Sequence, residues 1–465
     1  MGFSVLFADV YKDYLRFNRN ACKWFYYNGK VWQCDLRNCE TMVCLKEFVE
    51  VLWEYAISTA DTKYQSTVGK LSTYYHRDNM LKDCSPHYYF DSADADKEPM
   101  ILNCQNGTLN LETMILQPHN PNDKLTKICN VSFAQDAQCP QFEKFIGEVM
   151  QHNKEKINYL QKAIGYSLTG LTNLETCFVL YGATTRNGKS TLVETINYML
   201  GEDKGYALNM SPETLSQKNS GAIRSDLARL HGCRFLNASE PPKRMIFDIG
   251  LLKTLLGNDT VTARKLYENE IQFRPIFKLF INTNYLPHIN DDTIFSSNRI
   301  NVITFDQHFY APDEEGEPKQ DHNLKIKLKA ELSGILNWCL EGLKKFKAEG
   351  LEPPQCVKDA TKEYREQSDK LNNFIIDCLI EDKDAKTEAG KIYTEYADWC
   401  EKGGYGTENK TNFFAELKVK GLFLKSATMP NGKTSRNIMV GYKLKPLDDK
   451  FFVDDMELLK HESKK

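Results

Sequence analysis

The feature that most constrains this chain is a short apolar run, Cys177-Phe178-Val179-Leu180-Tyr181. It passes through Gly182 and Ala183-Thr184-Thr185-Arg186-Asn187-Gly188-Lys189-Ser190 into a helical pattern. Five consecutive apolar residues are what a strand buried on both faces requires. Leu192, Ile196, Met199 and Leu200 then fall on one helical face, and Gly201 marks the stop. A strand, a polar loop ending in Gly-Lys-Ser and a helix together form the setting of a phosphate-binding loop. Successive backbone N–H groups and the positive end of the helix face the anion there. The loop is read as Gly182 to Thr191, with Lys189 reaching the β- and γ-phosphates of ATP and the Ser190 hydroxyl holding Mg²⁺. Ala183 stands where such loops usually place their first glycine, and Gly182 comes one residue early.

Further buried-type strands are expected at 234–239, 276–281 and 300–305, alternating with helices, which predicts an α/β core. Residues 1–140 read as an α+β region with turns at Asn28-Gly29 and Asn106-Gly107. Residues 141–175 read as a helical collar or linker, 176–310 as the ATPase core and 311–366 as a helical lid. Within the lid, an acidic Pro/Gly-containing loop at 311–322 precedes one long amphipathic helix from Leu328 to Phe346. Residues 367–465 carry three helical patterns, near 368–381, 387–402 and 411–420. A hairpin tipped by Pro430-Asn431-Gly432-Lys433 follows, and the whole reads as winged-helix-like.

A phosphate loop alone gives binding, so hydrolytic partners are sought further along. Glu240 ends the strand pattern CRFLNASE, where a carboxylate can activate water and help hold the metal; the bland alternative is a surface Glu before Pro241-Pro242. Asn284 ends FKLFINTN, where an amide can bond the γ-phosphate or the attacking water, or simply make a turn before Pro287. Arg299 opens RINVITF and could neutralise charge on a neighbouring subunit's γ-phosphate, or make a surface ion pair. Between Glu240 and Asn284, TVTARKLYENEIQF has hairpin character with Arg264 and Lys265 near its tip. By itself that segment reads as a solvated hairpin. In a ring, such hairpins would line a channel and grip a DNA backbone.

The net charge of −3 disfavours a non-specific nucleic-acid coat, so any DNA-binding cations must be locally concentrated. The 14 cysteines include no CxxC pair. The spacing of Cys22, Cys34, Cys39 and Cys44 matches no standard zinc pattern, so reduced thiols are expected. Asp91, Asp94 and Asp96 read as a solvated loop rather than metal carboxylates. His76-Arg77-Asp78 lacks the partners of a kinase catalytic loop. With neither a signal-peptide pattern nor a run long enough for a bilayer, and Leu6 where myristoylation wants Ser or Thr, the expectation is a soluble cytoplasmic protein with no membrane partner.

In this order, GATTRNGKST, CRFLNASE, GNDTVTARKLY, PIFKLFINTNYLP and SSNRINVITF resemble the phage/plasmid primase-helicase family, which includes the poxvirus primase-helicase and belongs to superfamily 3 of the AAA+ ATPases. The resemblance continues upstream in PMILNCQNGTLNLETMILQPHNPNDKLTKICNVSFAQDAQCPQFEKFI and downstream in EQSDKLNNFIIDCLIED, IYTEYADWCEKGGY and NIMVGYKL; the first ninety residues match least well. It implies an AAA+ core and ATP-dependent 3′ to 5′ unwinding of DNA by a homo-hexamer, in replication of a phage, plasmid or mobile element. That setting would be a bacterial cytoplasm. Lys189 and Ser190 would bind phosphate and metal, Glu240 take the Walker B role, Asn284 the sensor role and Arg299 the finger supplied in trans, with Arg264 and Lys265 on the DNA-contacting hairpin. The chain begins too late for the upstream primase domain of many relatives, so a separate primase or polymerase is the expected partner. The competing reading is an AAA+ initiator or loader that hydrolyses ATP without processive unwinding. Asn284 and Arg299 in series disfavour a metabolic P-loop kinase.

Overall fold

The strands that the apolar runs predict lie side by side in one parallel sheet. The computed structural model describes residues 2–202, 204–216, 226–242, 245–257, 259–264, 270–287, 289, 293–403, 405–428 and 434–446. The chain forms two compact units, one of residues 1–287 with 294–361, the other of 288–293 with 362–465.

In the first unit, β1 (Cys177–Tyr181), β2 (Ala207–Met210), β3 (Phe235–Ser239), β4 (Lys278–Thr283) and β5 (Ile300–Thr304) pair in the order β5-β1-β4-β3-β2, all parallel. β1 therefore has a late strand on either side, and the chain leaves it across the sheet toward β2. This is a topological switch point, where open parallel sheets bind ligands beyond the strands' carboxyl ends. β4 enters the sheet two residues later than expected, because Pro275 precedes it and the ladder begins with the Lys278 N–H bond to the Arg234 carbonyl, 2.8 Å.

On one sheet face Phe280 stacks between Phe178 and Phe235, with ring centroids 4.8 and 4.5 Å apart. They join one hydrophobic cluster with α1 (Pro140–Val149), α2 (Lys154–Tyr166), α3 (Lys189–Leu200) and α4 (Leu332–Glu349). Each buried ring contributes roughly 1.5–3 kcal/mol. The expected faces of α1 and α3 are the buried ones, and Gly201 caps α3. The single helix expected from Leu328 to Phe346 is instead two, Leu324–Ala330 and α4, broken at Glu331. The break has a use. The Glu331 carboxylate accepts from the backbone N–H groups of Gln141 (3.1 Å) and Phe142 (3.0 Å), satisfying the first turn of α1.

The N-terminal region holds both helices and an antiparallel sheet. Helices Phe3–Tyr11, Cys39–Thr59 and Tyr74–Cys84 accompany an antiparallel sheet of Leu15–Asn18, Lys23–Tyr27 and Trp32–Cys34. The Asn28 side chain accepts from Lys30 N (3.0 Å) and Val31 N (2.9 Å) in the first turn. The second turn is Gln105-Asn106, one residue earlier than read, with Gly107 already paired to Cys104. Asp91 and Asp94 are spent on ion pairs with Arg19 (2.7 Å) and Lys124 (3.3 Å), and Asp96 accepts from Thr126 N at 2.8 Å. All 14 cysteines are free thiols, and no metal-ligating cluster occurs among the described residues. No helix among them is long and apolar enough to cross a membrane.

The second unit contains helices Lys370–Cys378, Ala389–Gly403 and Lys410–Val419, close to the three expected. Leu424–Thr428 and Thr434–Leu444 pair antiparallel as the expected hairpin; its tip, 429–433, lies outside the described residues. A third strand, Leu379–Glu388, was not expected and pairs on the other side of Thr434–Leu444. Only Leu379 of its ten residues is buried, so LIEDKDAKTE carries the charge pattern of a linker although its backbone is laddered.

α2 and α4 cross through two glycines. A Cβ on Gly165 would stand 2.3 Å from Leu343 N, and one on Gly342 2.1 Å from the Gln161 carbonyl oxygen. Gly165→Ala is expected to destabilise the first unit by about 1–3 kcal/mol through overpacking, read as a lowered denaturant midpoint; an unchanged midpoint would show that the helices part freely.

Candidate functional site

The loop after β1 turns tightly because two positions admit no side chain. A Cβ on Gly182 would meet Asn187 Nδ2 at 2.1 Å and Lys189 Nζ at 2.9 Å. Gly188 has φ +83, and a Cβ there would meet Val149 at 2.4 Å. Its left-handed conformation turns the chain into α3. Asn187 braces the loop from inside, its amide donating to the Thr184 carbonyl at 2.6 Å. Ala183, Thr184, Thr185 and Arg186 are exposed along the loop's rim, and Ser190 is exposed at the start of α3.

Lys189 is buried, 4% exposed. Its ammonium donates to Asn284 Oδ1 (2.7 Å), Asn187 Oδ1 (2.9 Å) and the Gly182 carbonyl (3.4 Å). Burial lowers its pKa to about 8, against an opposing pull from the Glu240 carboxylate. The predicted sensor residue thus meets the predicted phosphate-binding lysine across two neighbouring strands. Glu240 sits one residue beyond β3, is exposed, and holds a left-handed backbone at φ 55. That conformation is uncommon outside Gly and costs energy, a pattern concentrated at functional sites. Its N–H donates to the Asn282 carbonyl at 2.7 Å, and no partner for its carboxylate is found among the described residues.

Two residues that sequence reasoning missed also line the site. Asn282, buried in β4, donates from Nδ2 to Ser190 Oγ at 3.3 Å. Glu314 binds the rim residue Arg186 at 2.8 Å, while Phe309 N donates to the Arg186 carbonyl at 2.9 Å. Beside the loop lies a cavity of about 550 Å³, walled by Phe145, Gly188, Thr191, Phe309, Gln320 and Leu324 among others. The alternation of Asn282 with Asn284 on one strand could have revealed the first. Nothing in an acidic loop such as 311–322 marks it as a wall.

Arg299 is not brought to this site. Its carbonyl accepts from Cys177 N at 2.8 Å, which puts it at the amino end of β1, opposite the phosphate loop. Its guanidinium pairs with Glu175 of the same chain. Arg264 ends the strand Val261–Arg264, antiparallel to Glu270–Phe273 and opposite Glu270; Lys265 lies outside the described residues.

The depressed lysine gives a pH signature. A phosphate would favour the charged form and raise its pKa. At pH 8.5 the free protein would hold Lys189 mostly neutral, and binding would take up a proton. Calorimetry of ATP binding in buffers of different ionisation enthalpy is expected to show uptake approaching one proton at pH 8.5 and far less at pH 6.5. Lys189→Arg, always charged, should show none from this position. Equal uptake in the variant would place the proton elsewhere.

Three family models match in series: D5 N terminal like over residues 4–151, a family of unknown function over 180–299, and poxvirus D5 protein-like over 366–433. A protein of Acanthamoeba polyphaga mimivirus named as a candidate helicase is 28% identical over 71% of this chain and 36% of its own length. One of Frog virus 3, also so named, is 28% identical over 49% of this chain and 24% of its own. A protein of African swine fever virus named as a candidate primase is 24% identical over 65% of this chain and 33% of its own. The chain thus spans about a quarter to a third of these relatives, which come from large DNA viruses rather than phages or plasmids. Among solved structures, the C-terminal region of NrS-1 aligns with a TM-score of 0.48 at 11% identity, covering 92% of this chain and 96% of that one. With D5-type segments before and after the phosphate-loop sheet in the sequence and relatives named as helicases and primases, the chain is similar to the primase-helicase family that its motifs resemble.

Proposed function

We propose that this chain is the ATP-driven DNA-unwinding motor of a viral replication protein, an AAA+ core of superfamily 3 with a winged-helix-like C-terminal unit. The observation that carries it is the Lys189–Asn284 bond of 2.7 Å beside Glu240, three residue types from the start of α3 and the ends of β4 and β3 meeting at the switch point of a 5-1-4-3-2 sheet. The three helices and three-stranded antiparallel sheet of the second unit support the winged-helix reading.

On this reading Gly182 to Thr191 wrap the phosphates, and Lys189 exchanges its amide and carbonyl partners for phosphate oxygens. The cavity beside the loop takes the nucleoside between Phe145 and Phe309; its size falls within the roughly 300–1,000 Å³ of small-molecule sites. The exposed Ser190 hydroxyl and the unpartnered Glu240 carboxylate are hard oxygen donors and fit Mg²⁺. When bound, the ion neutralises charge on the β- and γ-phosphates. Glu240 orients the attacking water, and Asn284, released by Lys189, senses the γ-phosphate. Arg299, remote from its own loop, serves the site of the next protomer, which calls for a ring, taken as a homo-hexamer. Hairpins carrying Arg264 and Lys265 would face the channel and grip a single DNA strand.

Displacement of a labelled strand from tailed duplexes is expected from the 3′ tail and not the 5′ tail. Lys189→Ala and Arg299→Ala should each abolish it, losing about 10³-fold or more in hydrolysis. Mixing the two inactive variants should restore part of the ATPase, since a neighbour's Arg299 can complete a site with an intact Lys189. Hydrolysis without displacement on either tail would favour the loader reading. Lys265→Ala should lose unwinding while keeping basal hydrolysis.

A further inference from the structure

The sheet interior holds an amide that the nucleotide reading does not yet use. Asn282 is 3% exposed, in a strand whose preceding residues, Leu279, Phe280 and Ile281, are all apolar. A buried amide costs free energy unless its hydrogen bonds are made, and an aliphatic side chain of similar volume would pack there without that cost. Asn282 and Asn284 are two residues apart, so both face the phosphate loop. Asn284 takes the ammonium of Lys189. Asn282 donates to the hydroxyl oxygen of the next residue, Ser190, at 3.3 Å. The carbonyl of the same Asn282 accepts from Glu240 N at 2.7 Å. One residue therefore touches both proposed metal-binding positions, one through its side chain and the other through its backbone.

We infer that Asn282 is a positioning residue for the metal, setting the Ser190 hydroxyl through its amide hydrogen bond. The reading rests on Ser190 as a ligand, as proposed above. A serine hydroxyl has two lone pairs and one proton. With one lone pair committed to the amide of Asn282, the side chain is held in one orientation. The second lone pair is left for the ion and the proton for a phosphate oxygen. Partners of this kind behind a ligand typically account for about 10–100-fold in metal affinity. Asn282 itself is not a ligand and acts only through Ser190.

The test is a Mg²⁺ titration of the binding of a fluorescent ATP analogue to the full chain, followed by anisotropy, with metal-free binding measured alongside. Asn282→Leu, close in volume, and Asn282→Ala, smaller, are expected to raise the Mg²⁺ half-saturation concentration about tenfold while leaving metal-free affinity unchanged. Ser190→Ala should raise it at least as far, and Asn282→Ala added to Ser190→Ala should raise it no further. A midpoint that stays put in both Asn282 variants while Ser190→Ala moves it would overturn the inference. So would effects that multiply in the double variant, or loss of metal-free binding in both Asn282 variants, since the amide would then be holding the fold. A Ser190→Ala protein with the wild-type midpoint would instead sink the ligand role of Ser190, a distinct failure visible in that one variant.

Discussion

The hydrogen bond from Lys189 to Asn284 is the contact on which the rest of the site depends. A buried ammonium must be surrounded by oxygens, because an unpaired charge in a dry interior is far too costly. Those oxygens come from Gly182, Asn187 and Asn284, so the loop after β1 is folded around its own lysine and tied to the end of β4. β4 ties in more than this. Its Thr283 carbonyl accepts from Gly182 N at 3.2 Å, and its Asn282 carbonyl accepts from Glu240 N at 2.7 Å. The strand between β1 and β3 thus sets the relative height of the phosphate loop and the acidic residue. Neutral amide and carbonyl partners would suit the proposed exchange, in which the lysine is given up to a phosphate. A carboxylate partner would hold it more tightly and compete with the anion.

β4 is fixed as firmly at its other end. Lys278 is buried at its first position, and burial, helped by the nearby Arg234, pushes its pKa well down. Its ammonium donates to the Thr169 carbonyl at 2.6 Å and lies 4.3 Å from the ring centre of Tyr166. Arg234, at the start of β3, donates to the carbonyls of Leu168 (2.7 Å) and Glu98 (3.2 Å). Two buried cations therefore bind the chain ends that follow α2 and precede the Ile101–Cys104 strand to the floor of the sheet. Such groups are weak stabilisers but specific ones, since each donor must find its carbonyl before the sheet can close. The cost is carried far from the phosphate loop, where it does not disturb the chemistry.

What was legible in the sequence was whatever leaves a local pattern. β1, α3 and the stop at Gly201 were readable because a buried strand must be apolar and a helix must repeat its apolar face. Lys189 could be placed at the start of a helix, and Glu240 and Asn284 at strand ends, for the same reason, though only the folded sheet brings Lys189 against Asn284. Features that depend on distant partners were not legible. The break at Glu331 serves α1, almost two hundred residues earlier, and local periodicity runs straight through it. The strand Leu379–Glu388 is held by its ladder with little burial, so its sequence carries the charges of a linker. The wall formed by Phe309 and residues 317–322 is brought to the loop through Arg186, whose carbonyl binds Phe309 and whose guanidinium pairs with Glu314, and does not follow from its own composition.

Arg299 shows how geometry bears on assembly. β1 and β5 run parallel, with Arg299 beside Cys177 at one end and Lys189 beyond the other. A five-residue strand rises roughly 16 Å, more than an arginine side chain can span, so this guanidinium cannot serve its own phosphate loop. Within one chain its partner is Glu175, and its buried Nε has no hydrogen-bond acceptor among the described residues. A buried donor left unpaired costs on the order of 1–3 kcal/mol. If a neighbour's γ-phosphate is the eventual partner, Glu175 is its rival, and the ion pair must open before the finger can act. The half-exposed setting of Glu175 keeps that pair weak enough to exchange. On the proposed ring reading, hydrolysis would be coupled to subunit contact, because the arginine would come from one protomer and Lys189 from the next.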